Sequence, residues 1–240
     1  MQNGFQNEIE LIAKINGKKY DQLNFNLKKI IDIAFKNKNG EIKCVSGKGG
    51  HKSDILIIIG EESHSFSIKK GTGNSLHQEP VNDFLIYLKN KFGLKKEVKE
   101  CILDFIWADK TLDGTGKVMD RISASKYKKL FPRKILKIQN YFNEIKSDLI
   151  KRFLIDGKDS KESAEFIYYG NAKNGFCCSS NNSLNWLVNN KSNGAISVGR
   201  LSFQAWNRNI NGGKKSEKKR GVIQLKWGTI KDDIKKISNE

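Results

Sequence analysis

Residues 51–80, HKSDILIIIGEESHSFSIKKGTGNSLHQEP, decide the fold. Asp54 opens an apolar run, Ile55 to Ile59, that is hydrophobic on both faces and so reads as a central strand. GEESHS (60–65) reads as a turn and FSIKK (66–70) as the next strand, close enough to pair as a hairpin. Side chains alternate along a strand, so Ser67 and Lys69 share one face while Ile68 points the other way. The hairpin brings Asp54, thirteen residues before Ser67, towards that face. This is the arrangement expected of a metal-dependent phosphodiesterase. Asp is a hard oxygen ligand for Mg²⁺. The metal polarises the phosphate and acidifies an attacking water. Lys orients that water or offsets developing charge. The pattern D-x(n)-(D/E/Q/S)-x-K is short, and a lysine-rich chain matches it by chance. The plain alternative is Asp54 capping a turn and Lys69 on a solvated strand.

Outward from this stretch, residues 5–16 show helical spacing, and residues 21–37 read as a second helix stopped near Gly40. EIKCVS (41–46) is a short strand, followed by the turn GKGG (47–50). Residues 80–107 are mostly helical, with Pro80 just inside a helix start. DGTG (113–116) is a turn. Residues 124–155 give amphipathic helices broken before Pro132. EFIYYG (165–170), AISVGRLSFQAWNRN (195–209) and GVIQLKWG (221–228) read as strands, the last two joined by the basic loop NGGKKSEKKR. The expected fold class is α/β (α+β): a central mixed sheet flanked by helices, with a helical insert. One domain over 1–240 is expected, with a core at 1–108, a helical region at 109–160, and strands with a recognition segment at 161–240.

The chain has 240 residues, 44 Lys plus Arg against 26 Asp plus Glu, and a net charge of +18. That points to a polyanion. Only six of the basic residues are Arg, and a genome bias towards lysine produces a similar surplus. No apolar run is long enough to span a membrane. No signal peptide is visible, so a cytoplasmic protein is expected. Cys44, Cys101, Cys177 and Cys178 form no CxxC pair, and His51, His64 and His77 have no zinc-ligand spacing. The vicinal Cys177–Cys178 reads as two small buried residues.

Seven segments, in order, resemble the PD-(D/E)XK nuclease superfamily, in particular the small type II restriction endonucleases whose best-known relative cuts GCGC. Gly4-Phe5-Gln6-Asn7-Glu8 looks like the start of the family's first helix, with Glu8 its acidic residue at the metal site. Lys52-Ser53-Asp54 resembles K-S-D, with Asp54 the metal ligand. Ser67-Ile68-Lys69 resembles Q-x-K, with Lys69 the catalytic lysine. The loop from Asn74 to Gln78 falls where the relative approaches DNA. Lys158 to Ala172 is similar to a G-x-G-D-x-x-A-E segment. Ile196 to Arg200 and Gln224-Leu225-Lys226 resemble I-x-x-G-R and Q-[FL]-K strands. Position 67 departs from the pattern: Ser stands where the superfamily has Asp or Glu and this relative has Gln. Asp54, the Ile68 carbonyl and Glu8 are then left to hold the ion, with Glu79 a further candidate.

The C-terminal strands carry Arg200, Gln204, Arg208, Gln224 and Lys226. A two-stranded ribbon fits the major groove, where Arg pairs with guanine and Gln with adenine. Lys219 and Arg220, in the KKSEKKR loop, suit phosphate. Asn74 and Gln78 are second-rank readers. Trp206 and Trp227 are expected in the core. The resemblance implies a Mg²⁺-dependent endonuclease cutting double-stranded DNA at a short palindrome, with Asp54, Ser67, Lys69 and Glu8 at its centre. It also implies a cognate DNA methyltransferase as genetic partner, and a monomer or weak homodimer. Two alternatives stay open: a structure-specific repair or phage-linked nuclease of the same superfamily, and a DNA-binding protein whose catalysis was lost at Ser67.

Overall fold

Asn7, Leu11 and Ile15 recur at helical spacing and are buried along one face of the first helix, α1 (Gly4–Ile15). The computed structural model describes residues 4–47, 52–72, 74–157 and 163–239, with Asn74 described in its backbone only. A two-residue strand, β1 (Lys18–Lys19), follows α1, then a 3-10 turn (Tyr20–Gln22). Helix α2 (Phe25–Ala34) starts at Asn24, whose side chain accepts from the Leu27 amide at 2.9 Å. The single helix expected over 21–37 is therefore two pieces, because Asn24 caps the second.

Strands β2 (Glu41–Ser46), β3 (Ile55–Ile59) and β4 (Glu62–Lys69) come next. The turn between β3 and β4 is only Gly60-Glu61, with Gly60 at φ +60°, so β4 begins earlier than the expected FSIKK. After β5 (Asn74–Pro80) come α3 (Val81–Phe92), α4 (Lys96–Trp107), α5 (Ala124–Leu130), α6 (Pro132–Glu144) and α7 (Lys146–Lys151). Pro80 is the residue before α3 and caps it, rather than lying inside it. A π-helical turn (Arg152–Asp156) ends this helical stretch. Then follow β6 (Phe166–Gly170), β7 (Gly175–Ser179), α8 (Ser180–Asn189), β8 (Ile196–Val198), β9 (Leu201–Ala205), α9 (Lys214–Glu217), β10 (Val222–Trp227) and α10 (Ile230–Ile237).

These elements form two compact units. The first comprises Met1–Asn74, Ile150–Leu187 and Gly228–Glu240. Its six-stranded sheet has the order β1-β2-β3-β4-β6-β7. All pairs are antiparallel except β4 with β6, where Phe66 lies opposite Phe166. The expected central strand Ile55–Ile59 lies between β2 and β4. Its core gathers Leu11, Ile15, Leu27, Ile31, Ile57, Phe66 and Tyr168.

The second unit comprises Ser75–Leu149 and Val188–Trp227, with the sheet order β5-β10-β9-β8. Phe203 of β9 lies among Phe84, Phe105 and Phe142, with ring centroids 4.9–6.1 Å away. Trp227 is fully buried, as expected, but Trp206 is 38 % exposed. Residues 195–209 are not one strand. Gly199-Arg200 makes a two-residue turn between β8 and β9, with Gly199 at φ +55°. The fold class is the expected one: α/β, with a mixed sheet flanked by helices.

Candidate active site

The β3–β4 register sets Ile55 opposite Phe66 and so carries Asp54 opposite Ser67. The Asp54 backbone is held on both sides. Its amide donates to the Phe66 carbonyl at 2.8 Å, and its carbonyl accepts from the Gly47 amide at 2.9 Å. Its carboxylate oxygen Oδ2 accepts three donors: the Ile68 amide at 2.6 Å, Ser67 Oγ at 3.1 Å and Lys69 Nζ at 3.2 Å. Lys69 Nζ also donates to the Ile68 carbonyl at 3.1 Å. The ion pair is mostly shielded, with the side chains 17 % (Lys69) and 26 % (Asp54) exposed. Asp54, Ser67, the Ile68 backbone and Lys69 thus meet at one point, as the alternation along β4 implies.

Glu8 joins them electrostatically from α1. Burial and then the Asp54 charge raise its carboxyl above the ordinary value, while Lys69 pulls it down. The neighbouring Asn7 is 1 % exposed and donates to the Gly170 carbonyl at 2.9 Å, tying α1 to the end of β6.

Lys52, two residues before Asp54 in the K-S-D motif, has no expected role in the site. Burial, then repulsion from Lys69, pushes its ammonium down to about 7, while Asp54 opposes the shift. Its neighbour is the π turn: a Cβ at Gly157 would lie 3.6 Å from Lys52 Cβ. Its place two residues before Asp54 was the signal available in the sequence.

Among the described residues no three His, Cys, Asp or Glu side chains cluster as metal ligands. The donor set is two carboxylates and a backbone carbonyl. That set fits Mg²⁺, which takes one or two carboxylates and fills its shell with water and substrate phosphate. Glu79 lies in the second unit, buried, with His77 Nε2 3.6 Å from its Oε1.

The expected DNA readers divide. Gln204 and Gln224 are register partners on neighbouring strands, as are Ser202 and Lys226, so these four share a face. Gln224 on that face is buried at 7 %, while Gln204 and Lys226 are half-buried. Arg200 is in the β8–β9 turn, not in line with Gln204, and donates to the Lys191 carbonyl at 3.1 Å.

Arg208 and Arg220 do not face solvent, contrary to expectation. Arg208 is buried, donates to the Phe105 carbonyl at 2.6 Å and stacks on the Phe105 ring. Burial pushes its guanidinium down to about 10. Arg220 is buried, pairs with Asp109 at 2.7 Å and Glu217 at 3.1 Å, and lies over Trp107. These arginines hold the unit together because a buried guanidinium needs a carboxylate or carbonyl partner. Lys219 is exposed, with Nζ 4.4 Å from the Trp206 ring centroid. Gln78 is exposed on β5. The Asn74 side chain, residues 48–50 of the GKGG turn, His51 and residues 158–162 lie outside the described residues. All four cysteines are free and buried. Among the described residues no helix is long and apolar enough to cross a membrane.

Among solved structures, the chain resembles restriction endonuclease MspI in complex with its cognate DNA. The TM-score is 0.52 at 11 % identity, over 83 % of this chain and 76 % of that one. No family model matches the sequence, and no curated protein matches it. The likeness shows a restriction-endonuclease-like fold.

Proposed function

We propose that the protein is a type II restriction endonuclease that hydrolyses phosphodiester bonds of double-stranded DNA at a short palindromic site. The observation that carries this is the convergence of Asp54, Lys69 and the Ile68 carbonyl on one point, with Glu8 coupled electrostatically to Asp54 and Lys69. The restriction-endonuclease-like fold, the DNA in the MspI structure and the net charge of +18 support the same reading.

Asp54 and Glu8, with the Ile68 carbonyl, would hold a Mg²⁺ ion, whose chemistry when bound is to polarise the phosphate and acidify water. Ser67 and the Ile68 amide fix the Asp54 carboxylate, so its orientation is set before DNA arrives. Lys69 brings its ammonium to the same point, where it offsets charge on the transferred phosphate and orients the water. Gln78, Gln204, Lys219 and Lys226 remain candidates for DNA contact on the second unit. A methyltransferase that protects the site is the genetic partner under this reading, and the chain acts as a monomer or weak dimer.

The test is digestion of unmethylated phage DNA with and without Mg²⁺. Discrete fragments that need Mg²⁺ support the reading. Scattered nicks point to structure-specific cutting. Salt-sensitive binding with no cutting in Mg²⁺ or Mn²⁺ leaves a DNA-binding protein whose catalysis was lost at Ser67, and overturns the reading.

A further inference from the structure

A cavity of about 510 Å³ lies in the first unit, apart from the Asp54 cluster. It is lined by the rings of Phe25, Tyr169 and Phe176 and by Lys29, Lys173 and Lys231. None of the described residues lining it is acidic. Asp232 reaches Tyr169 electrostatically but does not line the cavity. Phe25 is 77 % exposed at the first position of α2, with Lys29 Nζ 4.5 Å from its ring centroid. The Phe25 ring is thus open to solvent beside three exposed lysines.

The geometry points to a nucleotide-binding cavity, in which a base stacks on the aromatic rings and its phosphate lies among the three lysines. Every base offers a π face to such rings, and lysine supplies point charge to phosphate without reading sequence. The size falls in the usual range for a small-ligand pocket, roughly 300–1,000 Å³. Its position also fits a strand of nucleic acid. Tyr169 lies opposite Lys69 in the parallel β4–β6 pair, and its hydroxyl donates to the Gly71 carbonyl at 2.9 Å. The Gly170 carbonyl at its wall accepts from Asn7, the residue before Glu8. The cavity therefore begins one strand away from Lys69. This goes beyond the proposed cleavage and does not depend on it.

The chemistry has two sources, a free mononucleotide and an unpaired nucleotide of a strand. The test titrates wild type, Phe25→Ala and Lys173→Gln with a labelled eight-residue oligothymidylate carrying 5-iododeoxyuridine, in EDTA so that nothing is cut. Unlabelled thymidine monophosphate and inorganic phosphate serve as competitors. Both substitutions are at exposed positions, so the fold is kept. We expect ultraviolet crosslinks at Phe25, Tyr169 or Phe176, and affinity falling roughly five-fold or more in Phe25→Ala. Competition by the mononucleotide at its own low concentration assigns a free nucleotide. Binding of the oligonucleotide alone assigns a strand. Crosslinks confined to other segments, an unchanged affinity in Phe25→Ala, or equal competition by inorganic phosphate each overturn the assignment. Failure here leaves Mg²⁺-dependent cutting untouched, because no step of this test requires it.

Discussion

Ser67 stands where the resemblance to PD-(D/E)XK nucleases leads one to expect an acidic ligand, and its position decides what it does. It is 2 % exposed and its hydroxyl donates to Asp54, so it orients that carboxylate. Ser67→Ala should cost about 1 kcal/mol of stability for one lost buried hydrogen bond. It should slow cleavage by less than about ten-fold, because the Ile68 amide still fixes Asp54. Asp54→Asn should slow it by roughly a hundred-fold or more, because a charged ligand is lost. Single-turnover cleavage of one duplex by both variants checks this, and equal losses would contradict it.

Glu217 is the residue-scale counterpart in the second unit. It accepts from Asn209 at 2.5 Å and from Arg121 at 2.9 and 3.1 Å, and pairs with Arg220. These partners, Asn209 first and Arg121 next, push its carboxyl down to about 2. A carboxyl lowered in the folded state adds stability that is full above its ordinary value and is lost as pH falls towards the lowered one. Glu217→Gln should therefore flatten the acid limb of the stability profile between about 4.5 and 2. Urea unfolding across that range measures it, and an unchanged limb would refute the linkage.

At the scale of elements, Trp107 at the end of α4 lies against two glycines, Gly114 seven residues on and Gly221 in a distant segment. A Cβ at Gly114 would fall 2.4 Å from its Cε3, and one at Gly221 would fall 2.2 Å from its Cη2. Both glycines have left-handed φ, +81° and +66°. Gly221→Ala should thus destabilise by about 1–3 kcal/mol from overpacking, read as a lowered urea midpoint with the m-value unchanged. The DGTG motif was legible as a turn, but its packing on Trp107 was not, because the partner ring is fixed by tertiary contact.

The same limit explains the other misses. ISVGRLSFQ alternates well enough to pass for one strand, and only the φ of Gly199 divides it. NSLHQEP reads as loop by composition, yet becomes an edge strand beside β10. Arg220 reads as surface because Asp109, its partner, lies 111 positions away. By contrast, Ile55–Ile59 and the alternation to Lys69 were legible, because the two strands are neighbours in sequence and pair directly.

At the scale of the molecule, a surplus of 18 positive charges attracts any polyanion, so DNA binding alone distinguishes little. The buried arginines sharpen this point: Arg121, Arg208 and Arg220 are committed to carboxylates and carbonyls, and the exposed positive surface is mostly lysine, with Arg133 exposed and Arg200 half-buried beside it. The central claim is the Asp54–Lys69 centre, and cutting tests it where binding does not. The most direct measurement is single-turnover cleavage of unmethylated duplex DNA in Mg²⁺ by wild type and Lys69→Ala, both first shown to bind that DNA with equal affinity. We expect discrete wild-type products and a rate lower by about a hundred-fold or more in the variant. Cutting by Lys69→Ala at the wild-type rate would contradict the assignment of this centre.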